Sequence, residues 1–155
     1  MIGLSIFVLA VGAALAGEFP IGLYNVPTPA AVDAAAAAGF THVLPAGDQA
    51  AVSRAARAKG LAVIGFPRPG DAAPEGRARP AAWYISDEPD VNGQSPEAIS
   101  RLAADVRRWD PGTPRGLVVG DGARAGAYAD SVDALMVDWY PVPHLSVESF
   151  GTHVS

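Results

Sequence analysis

Apolar residues along this chain fall into short runs, separated by alanine-rich stretches that carry caps and glycine stops. Ile21–Val26 predicts a strand. Thr28 then stands as an N-cap with Pro29 at the first helical position, which predicts a helix over Ala30–Ala38 ended by Gly39. The order repeats with a strand over Thr41–Leu44, a helix over Gln49–Lys59 with Asp48 as cap and Gly60 as stop, and a strand over Leu61–Phe66. Pro67–Pro80 has no hydrophobic periodicity and is rich in Pro, Gly and Arg, so it reads as a loop. A fourth strand follows over Ala81–Ser86. Ser95 caps the clearest helix, in which Ile99, Leu102, Val106 and Trp109 recur as one buried stripe before Asp110-Pro111-Gly112 ends it. Leu117–Val119 predicts a fifth strand, Ala123–Ala129 a poor short helix, and Val132–Tyr140 a sixth strand.

Strands alternating with helices imply parallel pairing through right-handed crossovers, an α/β fold. Six such units suit either a doubly wound sheet or three quarters of an eight-stranded TIM-type barrel. No Gly-x-Gly-x-x-Gly follows the first strand, which weakens the nucleotide-binding sheet. The choice therefore rests on the strand ends.

The fourth strand runs Trp83-Tyr84-Ile85-Ser86 and closes in Asp87-Glu88-Pro89-Asp90. In a (β/α) barrel the C-terminal ends of the strands face the pocket, and chemistry is placed there. Alternation puts Tyr84, Ser86 and Glu88 on one side and Trp83, Ile85 and Asp87 on the other. Trp83 and Ile85 suit the face covered by helices, so Glu88 is expected at the pocket rim. Asp87 should turn away by parity, unless the strand end twists. The sixth strand ends similarly in Asp138-Trp139-Tyr140-Pro141, with Asp138 and Tyr140 sharing a face, and Tyr24 or Asn25 ends the first strand. Aromatic rings beside carboxylates suit a carbohydrate substrate, because rings stack on pyranose faces and acids grip hydroxyls. Read blandly, Asp87-Glu88-Pro89-Asp90 is a solvated turn and Trp139 is core.

The chain of 155 residues is long enough for one domain with a core, and 17 glycines and 14 prolines suit short elements joined by tight loops. A net charge of −5 with only 11 Lys and Arg argues against a nucleic-acid partner. Ile2–Ala16 is a nearly unbroken apolar run ending in small residues, and it reads as a signal peptide over residues 1–16. The run is short for a membrane span of about 20 apolar residues. A secreted or periplasmic domain over 17–155, without stable membrane insertion, is the expectation. Its alternative is that the run forms a buried first strand or an uncleaved anchor. His42 and His144 lack metal-ligand spacing, so no metal or other cofactor is expected. Neither a Gly-x-Ser-x-Gly motif nor a cysteine is present to support acyl transfer.

At its two acid-bearing strand ends the chain resembles the (β/α)8-barrel glycoside hydrolases of the large retaining clan. Trp83-Tyr84-Ile85-Ser86-Asp87-Glu88-Pro89 looks like that clan's Asp-Glu-Pro motif, and Asp138-Trp139-Tyr140-Pro141 looks like its strand-six segment. The resemblance covers about residues 20 to 145 and implies hydrolysis of O-glycosidic bonds by a retaining mechanism. Glu88 would be the general acid/base and Asp87 would orient it or tune its pKa, while Tyr24, Asp138, Trp139 and Tyr140 would line a sugar subsite. The nucleophile about 5 Å away that this mechanism needs would lie beyond Ser155, since Glu148 is poorly placed for it. The expectation is an incomplete barrel of about six βα units, truncated from a longer enzyme, with the edges of its first and sixth strands unpaired. The alternative is a non-catalytic carbohydrate-binding or scaffold barrel without the nucleophile.

Overall fold

A computed structural model of the chain describes residues 6–8, 20–47, 49–68 and 78–138. Its strands are β1 (Ile6–Val8), β2 (Ile21–Val26), β3 (His42–Pro45), β4 (Ala62–Gly65), β5 (Ala82–Asp87), β6 (Arg115–Val119) and β7 (Ala134–Val137). The helices are α1 (Pro29–Ala37), α2 (Gln49–Ala58) and α3 (Pro96–Trp109). Strand order in the sheet follows the sequence from β1 to β7. The six strands from β2 onward form a parallel, incomplete α/β TIM-type barrel, with α1, α2 and α3 following β2, β3 and β5; most of the β4–β5 connection lies outside the described residues. That is the expected fold class.

The chain divides into two compact units, residues 1–66 with 75–83 and residues 67–74 with 84–155. In the first, β2, β3 and β4 pair in parallel, and β4 pairs with the start of β5 through Ile64↔Ala82 and Gly65↔Trp83. β3 is buried throughout its four residues, as parallel strands covered on both faces are. The core gathers Val26, Val43 and Val63 from strands, Val32 and Ala35 from α1, and Val52 and Ala56 from α2.

Helix boundaries here follow local chemistry. Thr28 Oγ1 accepts the Ala31 N–H at 3.2 Å with Pro29 in the first turn, as the sequence predicts. Both helices end in a left-handed glycine, Gly39 at φ 84° and Gly60 at φ 76°. The following N–H reaches back five residues in each case, Phe40 to Ala35 O and Leu61 to Ala56 O, which closes a Schellman motif. Asp48, the expected cap of α2, lies outside the described residues, as do positions 69–77 of the expected loop.

β1 changes one expectation. Ile6–Val8 pairs antiparallel with β2 through Ile6↔Leu23, Phe7↔Gly22 and Val8↔Ile21, so the edge of β2 expected to be open is paired. No described helix is long and apolar enough to cross a membrane.

In the second unit β6 and β7 pair in parallel from Gly116↔Ala134 to Val119↔Val137. Ser95 Oγ accepts the Ala98 N–H and starts α3, which ends at Trp109 as predicted. Its buried stripe is Ile99, Ala103 and Val106, while Leu102 and Trp109 are half-buried. β6 begins two residues earlier than expected because the buried Arg115 is held there. Its Nε and Nη2 donate to both carboxylate oxygens of Asp133 at 2.8 and 2.9 Å, and its N–H donates to the same group. The expected helix over Ala123–Ala129 is instead a pair of 3-10 turns, Gly122–Ala127 and Ala129–Ser131. Glycine and alanine supply no apolar stripe there, and Asp121 caps the first turn by accepting the Ala123 N–H.

Candidate functional site

The site is built where β5, β6 and β7 end, within the second unit. The two residues that follow β5 and β7 are tied to the last carbonyls of β6 between them. Glu88 N–H donates to Val118 O at 2.9 Å, and Asp138 N–H donates to Val119 O at 2.8 Å. Two carboxylate residues, fifty positions apart in sequence, thereby flank one strand end.

Glu88 has a backbone φ of 41°, in the left-handed region that L-residues other than Asn and Asp seldom occupy. Several bonds hold it there. Its carbonyl accepts the N–H groups of Val91 at 3.1 Å and Asn92 at 2.9 Å, and Gln94 N–H donates to Pro89 O at 2.8 Å. Asn92 Nδ2 also donates to Asp87 O at 2.9 Å. The turn from Asp87 to Gln94 is therefore bonded at nearly every step, and the expectation of a merely solvated turn does not describe it.

Side-chain parity holds on the core side of β5. Trp83 is buried, and its ring lies 3.0 Å from where a Cβ on Gly65 would stand. Tyr84 is buried too, and its hydroxyl donates to Asp87 Oδ1 at 2.6 Å. Strict alternation would separate these two groups, so the strand end has twisted far enough to bring Asp87 to the tyrosine. Ser86 Oγ meets Gln94 Oε1, which places a hydroxyl and an amide beside the same turn.

Burial pushes the Glu88 carboxyl above the usual carboxylate range, and the neighbouring Asp138, Asp87 and Asp90 push it the same way. A carboxyl raised by partial burial among other acids keeps its proton to a higher pH than an ordinary glutamate, a property that suits a general acid/base.

Of the residues singled out from sequence, Glu88, Asp87 and Asp138 come together at this end of the sheet. Tyr24 is half-buried on β2 in the first unit. Trp139 and Tyr140 lie outside the described residues, as do His144 and Glu148. Among the described residues no group of three His, Cys, Asp or Glu is arranged to hold a metal ion. Sequence reasoning missed Asp90, Gly120, Asp121 and Gln94. Their only trace was the turn-forming composition of Asp87-Glu88-Pro89-Asp90 and of Gly120-Asp121-Gly122.

No family model matches this chain, and no curated protein does. Several solved structures share its fold, two of them as follows. One is a cube-shaped, highly porous protein cage designed by fusing symmetric oligomeric domains, with 21% identity and a TM-score of 0.61 over 84% of this chain and 48% of that one. The other is a native KDPGal structure, an aldolase, with 19% identity and a TM-score of 0.60 over 84% of this chain and 63% of that one. The chain thus spans less than two thirds of the length of either.

The likeness establishes the class of fold, an incomplete α/β TIM-type barrel. It also corrects the resemblance to retaining glycoside hydrolases. The barrel is shared with an aldolase, and neither hydrolysis of O-glycosidic bonds nor the non-catalytic carbohydrate-binding alternative is supported. The physical reason is that an acid closing a strand is a position every such barrel offers to chemistry. A short Asp-Glu-Pro run marks that position without specifying the reaction.

Proposed function

We propose that the chain carries a proton-transfer site at the ends of β5 and β7, used in lyase chemistry of the aldol type on a small β-hydroxycarbonyl compound. The observation that carries this reading is Glu88, held at φ 41° at a barrel strand end with its carboxyl raised by burial and by Asp138, Asp87 and Asp90. A residue kept in a sparsely populated backbone region by its surroundings is a recognised sign of a functional position. The fold shared with a KDPGal aldolase supports this choice of reaction class.

In this role Glu88 takes the proton of the substrate hydroxyl, which becomes the aldehyde carbonyl as the carbon–carbon bond breaks. The bonding electrons pass into the substrate's own ketone as an enolate, and the proton held by Glu88 returns to the enolate carbon. Asp87 and Asp138 keep the Glu88 carboxyl basic enough to begin the step. Tyr84 holds Asp87 in place through its hydroxyl. A lysine imine is one way to absorb the electrons released in such a cleavage. Lys59 is the one lysine of this sequence. It lies just past the end of α2, half-exposed and paired with Asp33 at 2.9 Å, so it does not take that part.

The test is cleavage of a panel of β-hydroxyketones and β-hydroxy keto acids, read as aldehyde release. Glu88→Gln should lower the rate on the best substrate about 100-fold or more, the usual worth of a general acid/base. Full activity in Glu88→Gln would end the reading. We also propose that residues 1–16 direct export, as their apolar run suggests, so that β1 pairs with β2 only before cleavage. A mature protein beginning at Gly17 in the mass spectrum of the exported fraction is the expected result, and an intact Met1 there would contradict it.

A further inference from the structure

Asp90 is buried, with 8% of its surface exposed, and its carboxylate and carbonyl bond to groups thirty or more residues away. Its Oδ1 accepts the N–H of Gly120 at 3.1 Å and its Oδ2 accepts the N–H of Asp121 at 2.9 Å, thirty and thirty-one residues away. Its own carbonyl accepts from Arg124 Nη1 at 3.1 Å. With the Glu88 N–H on Val118 O, four bonds join residues 88–90 to residues 118–124. A carboxylate straddling two consecutive backbone N–H groups fixes both the distance and the angle between its loop and theirs.

What this clamp brings together is specific. Gly120 lies directly against the turn that carries Glu88. A Cβ placed on Gly120 would stand 3.1 Å from Glu88 Oε1, 3.3 Å from Glu88 Cδ and only 2.6 Å from Val91 Cγ2. The Glu88 carboxyl therefore rests over a bare Cα, and any larger residue would lift it or displace Val91.

We propose that Asp90 and Gly120 form a positioning device for Glu88, in which the Asp90 carboxylate docks the Glu88 turn onto the end of β6 and Gly120 supplies the seat for the Glu88 carboxyl. This inference rests on the reading of Glu88 as the proton-transfer group. Asp90 and Gly120 touch no reacting atom in it. They act through Glu88, by setting how far its carboxyl is withdrawn from water and how close it lies to Asp87 and Asp138.

The experiment follows the Glu88 carboxyl by carbon-13 NMR through a pH titration of the full chain, with Glu88→Gln to assign the signal. Two variants preserve the charge around Glu88. Asp90→Glu keeps the carboxylate but adds a methylene, so it cannot straddle the two N–H groups without moving the turn. Val91→Ala with Gly120→Ala removes the worst overlap, which leaves the new Cβ against Glu88 alone. Val91 is exposed, so Val91→Ala by itself should leave the titration unchanged. Each of the other two should lower the Glu88 midpoint towards the ordinary glutamate value, as the carboxyl regains water.

A folded Asp90→Glu and a folded double variant that both titrate Glu88 like the native chain would overturn the positioning role while leaving Glu88 in its own. If Asp90→Glu fails to fold, the double variant decides by the same criterion. An ordinary midpoint in the native chain would overturn both the positioning role and the reading of Glu88 beneath it.

Discussion

Among the described residues two non-glycine residues have a positive φ, and both stand at strand ends. Asn25 lies at φ 59° in β2 and Glu88 at φ 41° just after β5. Asn25 is exposed and falls where the β2–β3 register shifts between Leu23 and Val26. Asparagine enters the left-handed region readily, because its short amide can bond locally, so the residue type suits the place. Glutamate has no such dispensation. Glu88 is held by bonds to its own N–H and carbonyl from β6 and from the following turn. The first position is thus a bulge chosen by local chemistry, and the second is a conformation imposed by neighbours on a side chain retained for another purpose.

The largest effect expected from breaking this contrast comes from Asp90. Asp90→Ala leaves the Gly120 and Asp121 N–H groups without their acceptor, and chemical denaturation should show a loss of about 2–3 kcal/mol. A loss under about 0.5 kcal/mol would mean that the turn is not held from β6.

Glycine at the two positive-φ positions sharpens the comparison directly. Glu88→Gly should stabilise the chain by about 1 kcal/mol, since it removes the left-handed penalty and a partly buried carboxyl together. Asn25→Gly should change stability by only a few tenths of a kcal/mol, because asparagine pays little there. Equal responses at both sites would contradict the distinction between them.

The smallest effect is the dependence on pH. A carboxyl raised in the folded state binds its proton more tightly there than in the unfolded chain. Its contribution is therefore fully present below 4.5, the ordinary glutamate value, and is lost as pH rises through the raised midpoint. Glu88→Gln cannot ionise, so it should exceed the native chain in stability at pH 7, with the gap closing towards pH 4.5. The half-exposed position of Glu88 keeps that gap small.

Local signals carried most of the fold. Thr28 with Pro29, Ser95 with Pro96, and the stops at Gly39 and Gly60 are short-range chemistry, and each lies where the pattern of residues puts it. The strand-end acids Glu88 and Asp138 were legible for the same reason, as polar residues closing apolar runs. The clamp between Asp90 and Gly120-Asp121 was not, because nothing local pairs groups thirty residues apart. Nor could alternation anticipate the twist that brings Asp87 to the Tyr84 hydroxyl. For β1 a first strand was legible only as the alternative to a leader, because an apolar run beside the N-terminus suits both, and its antiparallel pairing with β2 was not legible. The reaction class was misread because Asp-Glu-Pro reports a place in the barrel, and that place is common to many chemistries.

The central claim is that Glu88 holds a proton where an ordinary glutamate would not. Its carboxyl titration in the native chain measures this directly. The account predicts a midpoint clearly above 4.5, lowered towards that value when Asp138 is replaced by asparagine. A Glu88 midpoint at or below 4.5 would contradict it.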